Sequence, residues 1–250
     1  MWSARHSSLA MIVLTGCSGG TVAAPATHHA AAAPPETHVV HRQPPPRPPL
    51  RPPQFVMISF DGSGDAALWK HWREVGHRTG ARFTFFLSGV YLLDPSHSRL
   101  YHPPRHSAGT SDIGFSPDSA SVRALVAQLN AGRAEGHEIG THYNGHFCEP
   151  YAGNVSTWTA ADWRREIEQW RALVARAGVQ IAHTDLQGGR TPCLQGRLHV
   201  LRKALHAEGM SYDTSETALP SAWPVRKAGI WSFPLASIKL VGTPYDALSM

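Results

Sequence analysis

The sequence predicts an α/β fold made of alternating strands and helices. Three observations predict it: compact apolar runs rich in aromatic and β-branched residues, helix-period segments lying between them, and glycine stops such as Gly136 and Gly178. Strand alternating with helix implies parallel βαβ units, closed as an α/β barrel or laid out as a doubly wound sheet. In either arrangement the chemistry gathers at the carboxyl ends of the strands.

The elements follow in order. "MWSARHSS" carries Arg5, "LAMIVL" (9–14) is a short apolar run, and "LTGC" closes it at Cys17. Residues 1–17 read as an export signal, too short to span a bilayer. The L-T-G-C ending resembles a bacterial lipoprotein signal, which implies acylation of Cys17 and a membrane tether; a plain secretory signal is the alternative. Residues 18–53 form an Ala/Pro-rich linker without apolar periodicity, its proline-dense end an extended spacer of about 3 Å per residue. From residue 54 onward "QFVMISF" is strand-like, and "ALWKHWREVGHRTG" is a helix with Trp69, Trp72 and Val75 on one face. "RFTFFLSGVYLL" (82–93) reads as a strand, and "SASVRALVAQLNAGRAEG" as a helix through Val122, Leu125, Val126 and Leu129. "HEIGTH" is strand, and "TAADWRREIEQWRALVARAG" is a helix opened by a capping box from Thr159 to Asp162. There follow "VQIAHTDL" as strand, "GRLHVLRKALHAEG" as helix, and the strands "MSYDTS" and "GIWSFPLASIKL".

Composition bounds the function. A chain of 250 residues, 42% hydrophobic and with eight tryptophans, can bury one sizeable core. The pI near 9.4 invites a nucleic-acid reading. The basic residues, however, form no stripe and match no nucleic-acid motif, so a nucleic-acid partner is not expected; an anionic cell envelope suits the charge as well.

The candidate site begins with "GTHYNGHF" (140–147), where His142 and His146 lie four residues apart after a strand. Sixteen histidines produce roughly one such pair by chance. "HPPRH" (102–106) is a decoy with the same spacing, and its prolines make it a surface loop. Placement separates the two. His142 and His146 follow one strand, Asp61 and Asp65 ("SFDGSGD") another, Arg190 ("GGRTPC") a third and Asp213 ("SYDTS") a fourth, while the decoy follows none. Carboxylates, imidazoles and a guanidinium at strand ends point to a metal site. Cys148 and Cys193 lie just past His146 and Arg190, and in an exported chain a leftover pair is expected to form a disulfide bracing the site, buried free thiols being the alternative.

At these residues the chain resembles the polysaccharide deacetylases of carbohydrate esterase family four (the NodB-homology domain) over about 54–250. "SFDGSGD" is similar to T-F-D-D-G, "HYNGH" to H-[ST]-x-x-H without the hydroxyl, and "GRTP" to R-x-P. "YDTS" with Trp223 resembles the aspartate–tryptophan motif. The resemblance implies a distorted (β/α) barrel, a divalent cofactor (zinc by default; cobalt, manganese or nickel as alternatives) and removal of acetyl groups from a polysaccharide such as peptidoglycan. It implies Asp61 as general base oriented by Arg190, Asp213 as a tuning carboxylate, Trp223 against substrate, and His142 and His146 as metal ligands.

Two departures qualify it. The family's second aspartate falls at Gly62, so the expectation is that Asp65 returns through "GSG" as the ligand, the alternatives being that Asp61 binds the metal or that Asp65 is a helix N-cap. The family also closes with a strand bearing L-x-H, and no histidine follows His206. The expectation is therefore a barrel lacking its last strand, with Asp213 deprived of its partner and turnover reduced. A carbohydrate-binding or structural envelope lipoprotein is the competing reading, and another metal hydrolase on a similar barrel is a third.

Overall fold

The computed structural model describes residues 55–219, 222–236, 238, 239, 242, 246 and 247. The expected signal peptide, Cys17 and the linker lie outside them. No described helix is long and apolar enough to cross a membrane.

The fold is α/β with a mostly parallel sheet. Its strands are β1 (Ser59–Phe60), β2 (Thr84–Leu87), β3 (Glu138–Thr141), β4 (Gly188–Gly189) and β5 (Tyr212–Asp213). Beyond a two-residue strand β6 (Thr217–Ala218), the chain forms β7 (Val225–Lys227) and β8 (Ile230–Ser232) as an antiparallel hairpin. The seven-stranded sheet runs β1-β2-β3-β4-β5-β8-β7, parallel until the last pair. From β1 to β5, strands consecutive in sequence are neighbours in space and the order never reverses. That is the winding of a barrel rather than of a doubly wound sheet, although β1 and β7 remain two edges among the described residues. β9 (Leu235–Ala236) pairs with β6, and β10 (Ile238–Lys239) with β11 (Asp246–Ala247).

Among the described residues, four α-helices accompany the sheet: α1 (Ala66–Thr79), α2 (Ser119–Ala134), α3 (Ala160–Ala177) and α4 (Leu198–Ala207). The capping box Thr159/Asp162 is formed at the start of α3, and Gly178, at φ 81°, ends it in the left-handed conformation that glycine tolerates best. α3 buries Trp163, Ile167, Trp170 and Leu173. Trp69 of α1 lies flat on Phe85 of β2, ring centroids 3.7 Å apart.

Three sequence expectations are corrected. The run 82–93 is a strand only to Leu87; Gly89–Leu92 coil into a 3₁₀ turn. Residues 179–186 are not a strand: His183–Asp185 form a 3₁₀ turn, and β4 is the glycine pair after them. The cause is lateral crowding, since a Cβ at Gly188 would lie 2.2 Å from the Tyr212 ring and one at Gly189 2.7 Å from Thr141 Cγ2. A strand of glycines has no side-chain pattern to announce it. The "HPPRH" loop is a surface loop only in part: His102 and Arg105 are exposed, but Pro103 and Pro104 are buried and His106 stacks on Phe147 at 3.9 Å.

Packing at Gly132 of α2 is equally tight, because a Cβ there would lie 2.7 Å from Trp69 Cζ3. Alanine would gain up to about 1 kcal/mol of helix propensity, but overpacking costs about 1–3 kcal/mol, and the indole has no room to retreat from Phe85. Gly132→Ala is therefore expected to lower stability by roughly 1 kcal/mol net in urea denaturation; a stabilised variant would show that the indole yields.

Candidate functional site

Three strand ends deliver the site. β1 stops at Phe60, and the chain turns at once through Asp61 and Gly62, the latter at φ 72°. β3 stops at Thr141 and hands over to His142, whose N–H donates to the Leu87 carbonyl at 2.9 Å. β4 stops at Gly189, and Arg190 N–H donates to the Thr141 carbonyl at 3.0 Å. All three residues thus sit at the carboxyl ends of parallel strands.

Arg190 ties these ends together. It is 3% exposed, and its guanidinium lies 4.7 Å over the Phe86 ring. Nη1 donates to Asp61 Oδ1 at 2.8 Å. Nη2 donates to Ser59 Oγ at 2.8 Å and to Thr214 Oγ1 at 3.0 Å, and Nε to the Thr214 carbonyl at 3.2 Å. The planar fork therefore links the ends of β1 and β4 with the segment after β5, and a lysine could not make all four bonds.

His142 is fixed by the same residue's backbone: Nδ1 lies 2.8 Å from the Arg190 carbonyl. A carbonyl only accepts, so Nδ1 carries the proton and Nε2 keeps a free lone pair. Burial depresses the His142 pKa from 6.5 to about 4, the Asp61 charge opposing only in part. Burial also lowers that of His146. Both imidazoles are thus kept neutral, the form that binds a metal. Their ring centroids are 5.1 Å apart, tilted by 54°. Two imidazoles on one tetrahedral ion with Zn–N about 2.0–2.1 Å would have centroids about 5 Å apart, so the pair fits a shared cation.

A cavity of about 230 Å³ is lined by Asp61, Gly62, Tyr91, Ile113, His142, His146 and Cys193. The Cys148–Cys193 disulfide joins two of the strand-end loops, its Cα atoms 6.2 Å apart across 45 residues of sequence. Closing a loop of that length is worth about 4 kcal/mol in the chain-entropy account. Cys148 Sγ lies 3.5 Å from His146 Nδ1, so the bridge also abuts the second imidazole.

The remaining predicted residues lie elsewhere. Asp65 is not at the cavity: its Oδ1 accepts from the Ala67 and Leu68 amides at 2.7 and 3.1 Å, capping α1. The helix N-terminus, with its free N–H groups, holds the carboxylate. Asp213 is fully buried and pairs with Arg202 at 3.0 Å, while Ser215 donates to it through both N–H and Oγ; its carboxylate is thus engaged by an arginine and a serine, where the resemblance implied a histidine. Trp223 is 68% exposed, edge-on to Phe55, in a separate depression with Glu216 and Lys227. Among the described residues, the one group of three potential ligands within 4.8 Å of one another is His146, Cys148 and Cys193, whose sulfurs are bonded to each other. Asp61 therefore does not complete a three-ligand cluster with the histidines; Arg190 holds its carboxylate.

Sequence reasoning missed Tyr91, Ser59 and Thr214. Tyr91 lies in the segment misread as strand, and the other two are small hydroxyl residues whose partner, Arg190, is distant in sequence.

No protein-family model matches the chain, and no curated protein matches it. Among solved structures it is similar to IcaB from Ammonifex degensii, at 18% identity and TM-score 0.45, over 67% of this chain and 62% of that one. It is also similar to BA3943, a CE4 family pseudoenzyme from Bacillus anthracis, at 13% identity and TM-score 0.40, over 63% and 41% of the two chains. A third is a family 4 acetyl xylan esterase from Clostridium thermocellum in complex with a cobalt ion, at 17% identity and TM-score 0.37, over 59% and 53%. The chain thus spans 41% to 62% of the length of these structures.

Because His142 stays neutral down to about pH 4 when folded and titrates near 6.5 when unfolded, only the unfolded chain takes up that proton in between. In metal-free protein its contribution to stability is constant above pH 6.5 and falls as the pH drops toward 4, on the order of 3 kcal/mol in all. His142→Gln is expected to flatten this part of the stability–pH curve measured by urea denaturation with a chelator; a curve parallel to wild type would contradict the burial argument.

Proposed function

We propose that the chain is a metal-dependent hydrolase that removes acetyl groups from an N-acetylated cell-envelope polysaccharide such as peptidoglycan, tethered there through Cys17. One observation carries the reading: two neutral imidazoles and an arginine-held carboxylate face one small cavity at the strand ends. His142 and His146 would hold the ion, zinc by default, with cobalt, manganese and nickel also suited to the donors. When bound, the ion supplies Lewis acidity for the acetyl carbonyl.

The chain's own residues do the rest. Asp61 accepts the proton of the attacking water, and Arg190 aims the carboxylate by holding one oxygen, the other having no hydrogen-bond partner among the described residues. A larger groove of about 960 Å³ shares Asp61, Gly62 and Tyr91 with the cavity. Phe60, Trp72 and Phe115 contribute to its walls. Aromatic walls leading to a polar site suit a glycan strand.

A second reading has its own support. With Gly62 in the second acidic position and Asp65 engaged as a cap, the ion would have two protein ligands where a catalytic zinc usually has three. That favours a carbohydrate-binding envelope protein with reduced or no turnover.

Acetate release from an N-acetylated oligosaccharide, with zinc or cobalt added, separates the readings. Wild type is expected to release acetate, His142→Ala to lose zinc binding, and Asp61→Asn to slow release by about 10²–10⁴-fold. Glycan binding without acetate would establish the second reading, and cleavage of the sugar backbone would establish a different hydrolase.

A further inference from the structure

The loop that joins the two imidazoles is short and backbone-strained. Tyr143 and His146 adopt left-handed backbone angles, φ 61° and 62°, which are strained in non-glycine residues and persist only where surrounding contacts hold them. The spacing of four residues is therefore not a helical turn. Something outside the loop must impose its shape.

The contacts that do so converge on one side chain. Glu166, in the middle of α3, is fully buried. Its Oε1 accepts from the Asn144 N–H at 3.0 Å and from the Tyr101 hydroxyl at 2.7 Å. The same hydroxyl accepts from the Gly145 N–H at 3.1 Å. Asn144 returns the contact, its Nδ2 donating to the Glu166 backbone carbonyl at 3.0 Å. Both amides at the centre of the loop, Asn144 and Gly145, thus end on Glu166, one directly and one through Tyr101. Tyr101 and Asn144 are themselves fully buried.

We propose that Glu166 is a positioning residue: it fixes the Asn144–Gly145 turn and so brings His142 and His146 onto one cavity. Glu166 does not line that cavity, so it acts through the loop alone. An apolar side chain would fill the space without the desolvation cost of a polar one, but it could not receive two donors. Burial pushes the Glu166 pKa up to about 7. Its second oxygen has no hydrogen-bond partner among the described residues, and no ion pair neutralises it there. The hydrogen-bonding oxygen, rather than a negative charge, is what the loop uses, and a glutamine can supply that oxygen.

The inference rests on the metal-site reading for its consequence, but not for its geometry. The test uses the full chain in four forms: wild type, Glu166→Gln, Glu166→Leu and Tyr101→Phe. Zinc affinity is measured by competition with a chromophoric chelator. Hydrogen–deuterium exchange over residues 142–148 is measured in metal-free protein. Glu166→Gln is expected to match wild type within about threefold in both. Glu166→Leu is expected to weaken zinc binding by about 10–100-fold, the usual cost of losing an outer-shell support, and to speed exchange at Asn144 and Gly145. Tyr101→Phe, which removes only the relay hydroxyl, is expected to speed exchange at Gly145, and it decides the matter if Glu166→Leu does not fold.

Wild-type exchange in folded Glu166→Leu, or in Tyr101→Phe, would overturn the proposal, as would a Gln variant as damaged as the Leu variant. Should wild type bind no zinc, the metal reading fails by itself, and the exchange measurements still decide the positioning role.

Discussion

The site depends on the Arg190 guanidinium. Its donors reach Asp61 and Ser59 at the end of β1 and Thr214 just after β5, and its own carbonyl sets the tautomer of His142. One residue thereby orients the carboxylate and selects the imidazole nitrogen that faces outward. The arrangement places a permanent cation behind the cavity, stacked over Phe86 and 3% exposed, where it would be costly without its partners. Because those partners come from β1 and the segment after β5, while Arg190 itself follows β4, the full set of bonds can form only when the sheet has assembled in register. Fold and site are in this sense one structure.

Around that centre the constraints tighten locally. The loop from His142 to His146 holds two residues in left-handed conformations, and the disulfide fastens the chain just beyond it to the segment after Arg190. Buried contacts support the loop from one side and a covalent bridge from the other. A rigid frame of this kind suits a pair of ligands that must present two nitrogens at a fixed separation. For the proposed ion, Asp65 is not available as a third ligand, since its carboxylate is engaged by the N-terminus of α1.

Much of the fold was legible in the sequence because α1, α2 and α3 carry strong apolar periodicity and clear caps, and β2 and β3 carry aromatic or β-branched residues. What could not be read was steric. β4 consists of two glycines because Tyr212 and Thr141 occupy the space beside it, and the 3₁₀ turn after Leu87 has the same residue types as the strand before it. The same division holds for the site. Asp61, His142, His146 and Arg190 were visible because strand ends are where such residues do chemistry. Asp65 was equally well placed as ligand or as cap, and only the geometry of its carboxylate decides. Sequence reasoning missed Glu166 because a glutamate on a helix is ordinarily solvent-facing, although its place three residues after Trp163 and four before Trp170 puts it on the buried face of α3.

The central claim is that His142 and His146 bind one cation on the Asp61 side of a shared cavity. Crystals grown with zinc at neutral pH, with anomalous data collected at the zinc edge, test it most directly. The account predicts a single strong peak held by Nε2 of His142 and a ring nitrogen of His146. A peak confined to the exposed histidines, with nothing between these two, would contradict it.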